Sequence, residues 1–270
     1  MELKATTYEV ADRVATITLN RPHRLNAWTG RMQTEYRSCL AAAADDETVR
    51  VIVVTGAGMG FCAGADVEAL GGHVDRGGYD DGVAPDVPRP GYGADPRFDA
   101  DFAYHFGIDK PIVAAVNGPA AGVGLALACF CDVRLAAAGA KLTTAHGRLG
   151  LPAEFGLSWL LPRLIGAARA MDLLLTSRVF LAEEAAEMGL VARVVEPDAL
   201  TDEVAAYAGE LAAHVAPSSL AATKRQLYLD LHRTAVESIA DADARLREMI
   251  PSPAFEEGVA ALRERRPPSF

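Results

Sequence analysis

Short apolar runs and stretches with apolar residues at helical spacing alternate along this chain. Val14–Leu19 and Val51–Thr55 are short β-branched runs, and Ile112–Val116 is continuously apolar. Runs of this length and type predict strands, and the continuous ones predict strands covered on both faces. Each leads into turn chemistry: Asn20-Arg21-Pro22, the glycine-rich Gly56–Gly64, and Asn117 to Gly124. Thr29 is placed to cap a helix running to about Ala44. Asp99–Gly107 reads as helical, Gly124–Cys131 as a helix, and Asp132–Ala136 as a further strand. From about Leu157 helical spacing takes over: Leu157–Leu164, Ala167–Thr176, Ala182–Met188, Thr201–Ala216, Ser218–Leu231, Val236–Met249 and Pro253–Arg265, interrupted at Arg193–Val195. Strands and helices alternate first and helices dominate later, which predicts an α/β core with a helical tail. Gly71 to Pro96 is rich in Gly, Asp and Pro and reads as a mobile insert or lid.

Composition narrows the classes. The chain has 270 residues, 50% hydrophobic and 23% charged, enough to bury a sizeable core as one large domain or a core with an appendage. A net charge of −10 and a pI near 5.1 argue against nucleic acid or an anionic membrane as partner. A small anionic ligand needs only a local basic patch. No stretch approaches the roughly 20 apolar residues of a spanning helix. Met1-Glu2-Leu3-Lys4 lacks a signal-peptide pattern. Cys39, Cys62, Cys129 and Cys131 lack zinc-ligand spacing and read as reduced thiols of a cytoplasmic protein. With no clustered ligand set and no dinucleotide fingerprint, no metal or redox cofactor is expected.

The candidate chemistry lies in the two glycine-rich loops. Each runs from a buried strand to a helix start, where the first N–H groups lack intrahelical partners and carry partial positive charge. Glycine lets such a turn bend tightly and lets a ligand approach the backbone. Two loops of this kind could each give one amide to the same anionic oxygen. Losing one donor of such an oxyanion hole typically costs about 100- to 1000-fold in rate. A single glycine turn before a helix is equally well explained by packing.

Several pieces stand in order: Leu19-Asn20-Arg21-Pro22 with Leu25-Asn26-Ala27; Gly56 to Asp66, ending Phe61-Cys62-Ala63-Gly64-Ala65-Asp66; Lys110-Pro111 through Asn117-Gly118; Gly122-Val123-Gly124; Cys131-Asp132; Leu160 to Gly166; and Ala186 to Val194. From about Val14 to the C-terminus the chain thereby resembles the crotonase, or enoyl-CoA hydratase/isomerase, superfamily. The resemblance implies an α/β fold: a spiral of ββα units over residues 1–200, with 71–96 as a flexible insert. A helical region at 201–270 would mediate trimerisation, giving a homotrimer or a hexamer. It implies an acyl-CoA thioester as substrate, with coenzyme A arriving as part of that substrate. An enolate would be held on the thioester oxygen by the backbone N–H groups of Ala65 and Val123. Arg24, Ala63, Asp66 and Arg265 fall where coenzyme A is contacted.

Hydratases of that superfamily use two glutamates to position and activate a water. Here those positions hold Ala126 and His146. Glu154 falls where several enoyl-CoA isomerases and the aryl-CoA dehalogenase carry their acidic residue, and its apolar neighbours predict a raised pKa. A 1,3-shift of a double bond needs one base, so the expectation is enoyl-CoA isomerisation with Glu154 as that base. One alternative is a hydratase or acyl-CoA hydrolase using His146. Another is an acyl-CoA-binding or assembly protein without turnover. Plainer readings stand beside these: Glu154 or Asp66 as a helix cap, His146 as a satisfied polar residue under a loop, Arg24 and Arg265 as solvated cations. Phe98, Phe102 and Phe106, four apart, suit either an acyl or aryl pocket or one buried helix face.

Overall fold

The computed structural model describes residues 2–270. Nine strands form, in chain order β1 (Thr6–Ala11), β2 (Val14–Leu19), β3 (Val51–Gly56), β4 (Ile112–Val116), β5 (Ala120–Ala121), β6 (Val133–Ala137), β7 (Lys141–Thr143), β8 (Phe180–Leu181) and β9 (Arg193–Val195). The main sheet has the order β1-β2-β3-β4-β6-β9, antiparallel between β1 and β2 and parallel elsewhere. A second small sheet joins β5, β7 and β8. The helices are α1 (Gly30–Asp45), α2 (Val67–Arg76), α3 (Val123–Phe130), α4 (Leu157–Ile165), α5 (Ala167–Thr176), α6 (Ala182–Glu187), α7 (Leu200–His214), α8 (Pro217–Asp230), α9 (Ala235–Met249) and α10 (Pro253–Glu264).

The continuous apolar strands are explained by what covers them. One face of the sheet, with Ile52, Val54, Ile112, Ala114 and Val116, joins the large core that includes Met32, Tyr36 and Leu40 of α1. The other face, with Val51, Val53, Val113, Ala115 and Leu135, is covered by Leu200, Val204, Ala208 and Ala212 of α7. Leu200, one residue before the predicted 201–270 region, starts α7, the helix that covers the second face of the sheet.

Several elements depart from the pattern-based expectation. Strand β1 was not legible, because its alternation is weak and only its first residue is buried. The predicted insert is helical at its start. Asp66 caps α2 through the Glu68 N–H at 2.9 Å, the helix runs through Gly71-Gly72, and Gly77 at φ 63° ends it. Asp99–Gly107 is not an α-helix: it holds a 3₁₀ turn over Ala103–Gly107, preceded by another at Pro96–Phe98. Phe102, at φ 61°, breaks the path between them, yet Phe98, Phe102 and Phe106 are all buried. No helix is long and apolar enough to cross a membrane among the described residues. The parallel strands β2, β3 and β4 run side by side in register and deliver their following loops to one edge of the sheet.

Candidate active site

The two glycine-rich loops meet at that edge because Asn117 and one short bridge bind them together, while Asn26 ties the first of them to the turn after β2. Asn26 is fully buried; its amide donates to Ala57 O at 2.9 Å and Gly60 O at 2.7 Å while Arg21 N–H donates to its Oδ1. From the other loop, Asn117 donates to Gly58 O at 2.9 Å and accepts from Gly56 N–H at 3.1 Å. Cys62 N–H donates to Pro119 O, and Ala121 N–H donates to Cys62 O at 3.0 Å. The loops touch so closely that a Cβ on Gly124 would lie 2.1 Å from Cys62 O. Gly122, at φ 50° and ψ −118°, makes the turn that opens α3. Ala65 lies just past Gly64, whose carbonyl accepts from Trp28 N–H, and ahead of Asp66, whose N–H donates to Trp28 O. Among the described residues, the backbone N–H groups of Ala65 and Val123 donate to no acceptor. Two unengaged amides therefore stand on neighbouring, mutually braced loops, and Val123 adds the positive end of a helix.

The two positions expected for a pair of glutamates, Ala126 and His146, carry no carboxylate. Ala126 is fully buried in α3. His146 opens the 3₁₀ turn His146–Leu149; it is buried, and its Nδ1 has no hydrogen-bond partner. Glu154 lies half-buried just before α4, and its side chain caps nothing: the helix begins at Gly156 without a side-chain cap. Burial pushes the Glu154 carboxyl above the ordinary carboxylate range, opposed in part by the nearby His146. The following residue, Phe155, packs on Phe102 at 5.5 Å, and Phe102 packs on Trp28 at 5.9 Å. A run of rings therefore links the Ala65 loop to Glu154. Trp28 was not singled out in the sequence, since nothing in a lone tryptophan ahead of a helix cap marks it as a neighbour of Ala65.

The remaining predicted site residues take separate places. Ala63 N–H donates to Leu25 O, which fixes the turn that carries Arg24. Arg24 is an exposed cation paired with Glu68 at 2.9 Å. Asp66 accepts from the Arg21 guanidinium at 2.8 Å as well as capping α2. Burial disfavours its charge, but Arg21 and the Glu68 N–H outweigh that and hold its carboxyl below the usual value. Arg265 ends α10 at φ 54° and makes no ion pair among the described residues. The tail after it is tethered elsewhere, by Arg13 donating to Phe270 O at 2.7 Å.

Comparison with known proteins identifies the family. The chain is 38% identical to a probable enoyl-CoA hydratase of Mycobacterium bovis, over 95% of this chain and 89% of the relative. It is 36% identical to the 1,2-epoxyphenylacetyl-CoA isomerase of Escherichia coli, over 95% of this chain and 94% of that one. A crystal structure of a probable enoyl-CoA hydratase/isomerase from Mycobacterium abscessus superposes with a TM-score of 0.85 at 32% identity, covering 98% of both chains. The Enoyl-CoA hydratase/isomerase family model matches residues 9–270. With its two braced loops, its unengaged amides and these relatives, the chain belongs to the enoyl-CoA hydratase/isomerase family.

Proposed function

We propose that this acyl-CoA enzyme shifts the double bond of an enoyl-CoA, with Glu154 as the single base. The observation that carries the reading is a half-buried carboxylate with raised proton affinity and free of hydrogen-bond partners, while a position expected for a hydratase glutamate holds the fully buried Ala126. In this mechanism the thioester oxygen accepts from the Ala65 and Val123 amides. Glu154 takes a proton from C2, the negative charge moves onto the oxygen as a dienolate, and the same carboxyl returns the proton at C4. No water takes part. Arg24, Ala63, Asp66 and Arg265 remain the proposed contacts to coenzyme A. The test is turnover of 3-enoyl-CoA and 2-enoyl-CoA with product masses read directly. Conversion of the 3-enoyl to the 2-enoyl thioester with little 3-hydroxyacyl-CoA is expected, falling at least about 100-fold in Glu154→Gln. Full activity in that variant would sink the proposal.

A second reading is favoured by one observation, the unpartnered imidazole of His146. In it His146 and Glu154 hold a water and the enzyme hydrates its substrate, as the name of the Mycobacterium bovis relative describes that protein. Rapid formation of 3-hydroxyacyl-CoA, lost in His146→Ala, would select it. We also propose assembly as a homotrimer or hexamer. Exposed Val236, Ile239, Leu246 and Ile250 leave apolar surface on α9 uncovered, which suits a subunit contact. Light scattering on the purified chain is expected to give three or six times the mass of 28.5 kDa, and a monomer would refute it.

A further inference from the structure

The Ala65 amide is aimed by a contact made at the other end of its own peptide group. That group joins Gly64 to Ala65, and in a planar trans peptide the C=O and the N–H point in opposite directions. Trp28 N–H donates to Gly64 O at 2.8 Å, so the Ala65 N–H points away from Trp28 N. Asp66 N–H donates back to Trp28 O at 2.9 Å, which fixes the next peptide as well. A hydrogen bond accepted by the carbonyl also polarises the peptide and strengthens its N–H as a donor. Trp28 therefore sets the direction of one of the two unengaged amides. Trp28 is held in turn by α1 and by the segment ahead of the 3₁₀ turn Ala103–Gly107. Its buried ring lies edge-on to Tyr36 at 5.7 Å and tilted against Phe102 at 5.9 Å. Its Nε1–H donates to Gln33 Oε1 at 3.4 Å, and Gln33 Nε2 donates to Asp101 Oδ2 at 3.4 Å. The other Asp101 oxygen lies 3.7 Å from Nη1 of the buried Arg37, whose Nε donates to Pro88 O at 3.0 Å. Asp101 and Phe102 are neighbours in sequence, so one short segment holds Trp28 both by its ring and through Gln33.

We propose that Gln33 and Asp101 are positioning residues that aim the Ala65 amide at the thioester oxygen through Trp28. The proposal rests on the Ala65 and Val123 amides forming the oxyanion hole. An indole N–H only donates and a carboxylate only accepts, so the side chain between them must offer one acceptor and one donor. A primary amide does so, and the two partners leave it a single orientation. Methionine would fill a similar volume and make neither bond. Glutamate would still accept from the indole but would set its charge against Asp101. The contacts from Asp101 to Ala65 do not pass through Val123, so disturbing them misdirects one donor and leaves the other in place.

Infrared difference spectroscopy on the full-length protein tests this with hexanoyl-CoA isotope-labelled at its carbonyl carbon, a saturated thioester with no double bond to shift or hydrate. Hydrogen bonds accepted by a carbonyl oxygen lower its stretching frequency, so the bound stretch reads the two amides directly. In the wild type the stretch is expected to fall on binding. In Gln33→Met and in Gln33→Glu much of that fall is expected to be lost. With 3-enoyl-CoA the same variants are expected to lose about 10-fold in kcat with KM little changed, a part of the cost of losing a whole donor. Adding Asp101→Asn to Gln33→Glu sets a donor opposite the new carboxylate and keeps the total charge, and it is expected to return the stretch toward the wild-type value. A purely structural role would lower the melting temperature of the single variants and leave the bound stretch where the wild type has it, which overturns the proposal. A double variant with a stretch no closer to wild type than Gln33→Glu alone overturns it too. No fall of the stretch in the wild type overturns the oxyanion reading itself, and the proposal with it. Glu154 moves no proton in this measurement, so the Glu154→Gln turnover test fails or succeeds independently of it.

Discussion

Glu154, the proposed base, is the residue on which the proposed chemistry and the local energetics meet. Its carboxyl is raised by burial, with His146 as the opposing influence. Below the ordinary carboxylate range it is neutral folded and unfolded, and burial carries no charge penalty. Above its folded pKa it is charged in both states, and the folded state bears the desolvation. Its contribution to stability is therefore present at low pH and lost as pH rises through the folded value. Glu154→Gln removes the charge. It is expected to raise the melting temperature at neutral pH, the gain vanishing as pH falls below the ordinary carboxylate range, while turnover drops. The same sign puts the acid limb of the wild-type kcat/KM profile above the ordinary carboxylate range, since only the ionised form abstracts a proton. A variant less stable than wild type at neutral pH would show that the carboxylate is held by a favourable contact. Glu154 was singled out in the sequence by its position in the family pattern and its apolar neighbours. The bond from Gly147 N–H to Ser177 Oγ was not foreseeable, because a serine in a helix-to-strand connection shows no partner until the fold sets one against it.

At the scale of elements, the two loops depend on a backbone approach that only glycine permits. A Cβ at Gly124 would collide with Cys62 O at 2.1 Å and Cys62 Cβ at 2.7 Å. Gly124→Ala must push α3 away from the Cys62 loop and separate the Val123 and Ala65 amides. The expected result is a loss of about 100-fold or more in kcat, the effect of losing one oxyanion donor, with a smaller change in KM. Gly209→Ala in α7 is the matched control, since a Cβ there meets nothing within 4 Å. It is expected to leave kcat alone and add about 0.5–1 kcal/mol of stability through helix propensity. Equal kcat values for the two variants would remove the amides from the mechanism. The glycines, Asn26 and Asn117 were visible in the sequence as motifs, and the structure gives them their reason: Asn117 stitches one glycine-rich loop to the other, and Asn26 ties the first of them to the turn after β2. The segment around Phe102 was misread for a physical reason. Apolar residues four apart fit a helix face, but 3₁₀ turns on either side of a left-handed residue bury the same three rings.

Over the whole molecule, α8 is tied to the sheet through one largely buried carboxylate. Asp132, ahead of β6, accepts from Ile112 N–H at 2.6 Å, from Lys224 Nζ at 2.7 Å and from the Tyr228 hydroxyl at 2.7 Å. Lys224 and Tyr228 belong to α8, and Ile112 opens β4, the strand whose far end carries the oxyanion turn. The sequence placed Asp132 at the start of a predicted strand, but Lys224 looked like any surface lysine of a helix; only the fold shows it 6% exposed. Asp132→Ala leaves that ammonium buried with the Lys110 carbonyl as its one remaining hydrogen-bond acceptor. Removing one member of a buried pair costs about 3–5 kcal/mol, so the melting temperature should fall by roughly 10 °C. Adding Lys224→Met removes the stranded charge and should recover part of that loss, because an apolar group of similar length is not penalised in the same place. Additive losses in the double variant would mean that Asp132 acts through Ile112 and Tyr228 alone. Recovery of stability without recovery of kcat would place the start of β4, and not the docked helix, as the link by which Asp132 keeps the oxyanion turn in position.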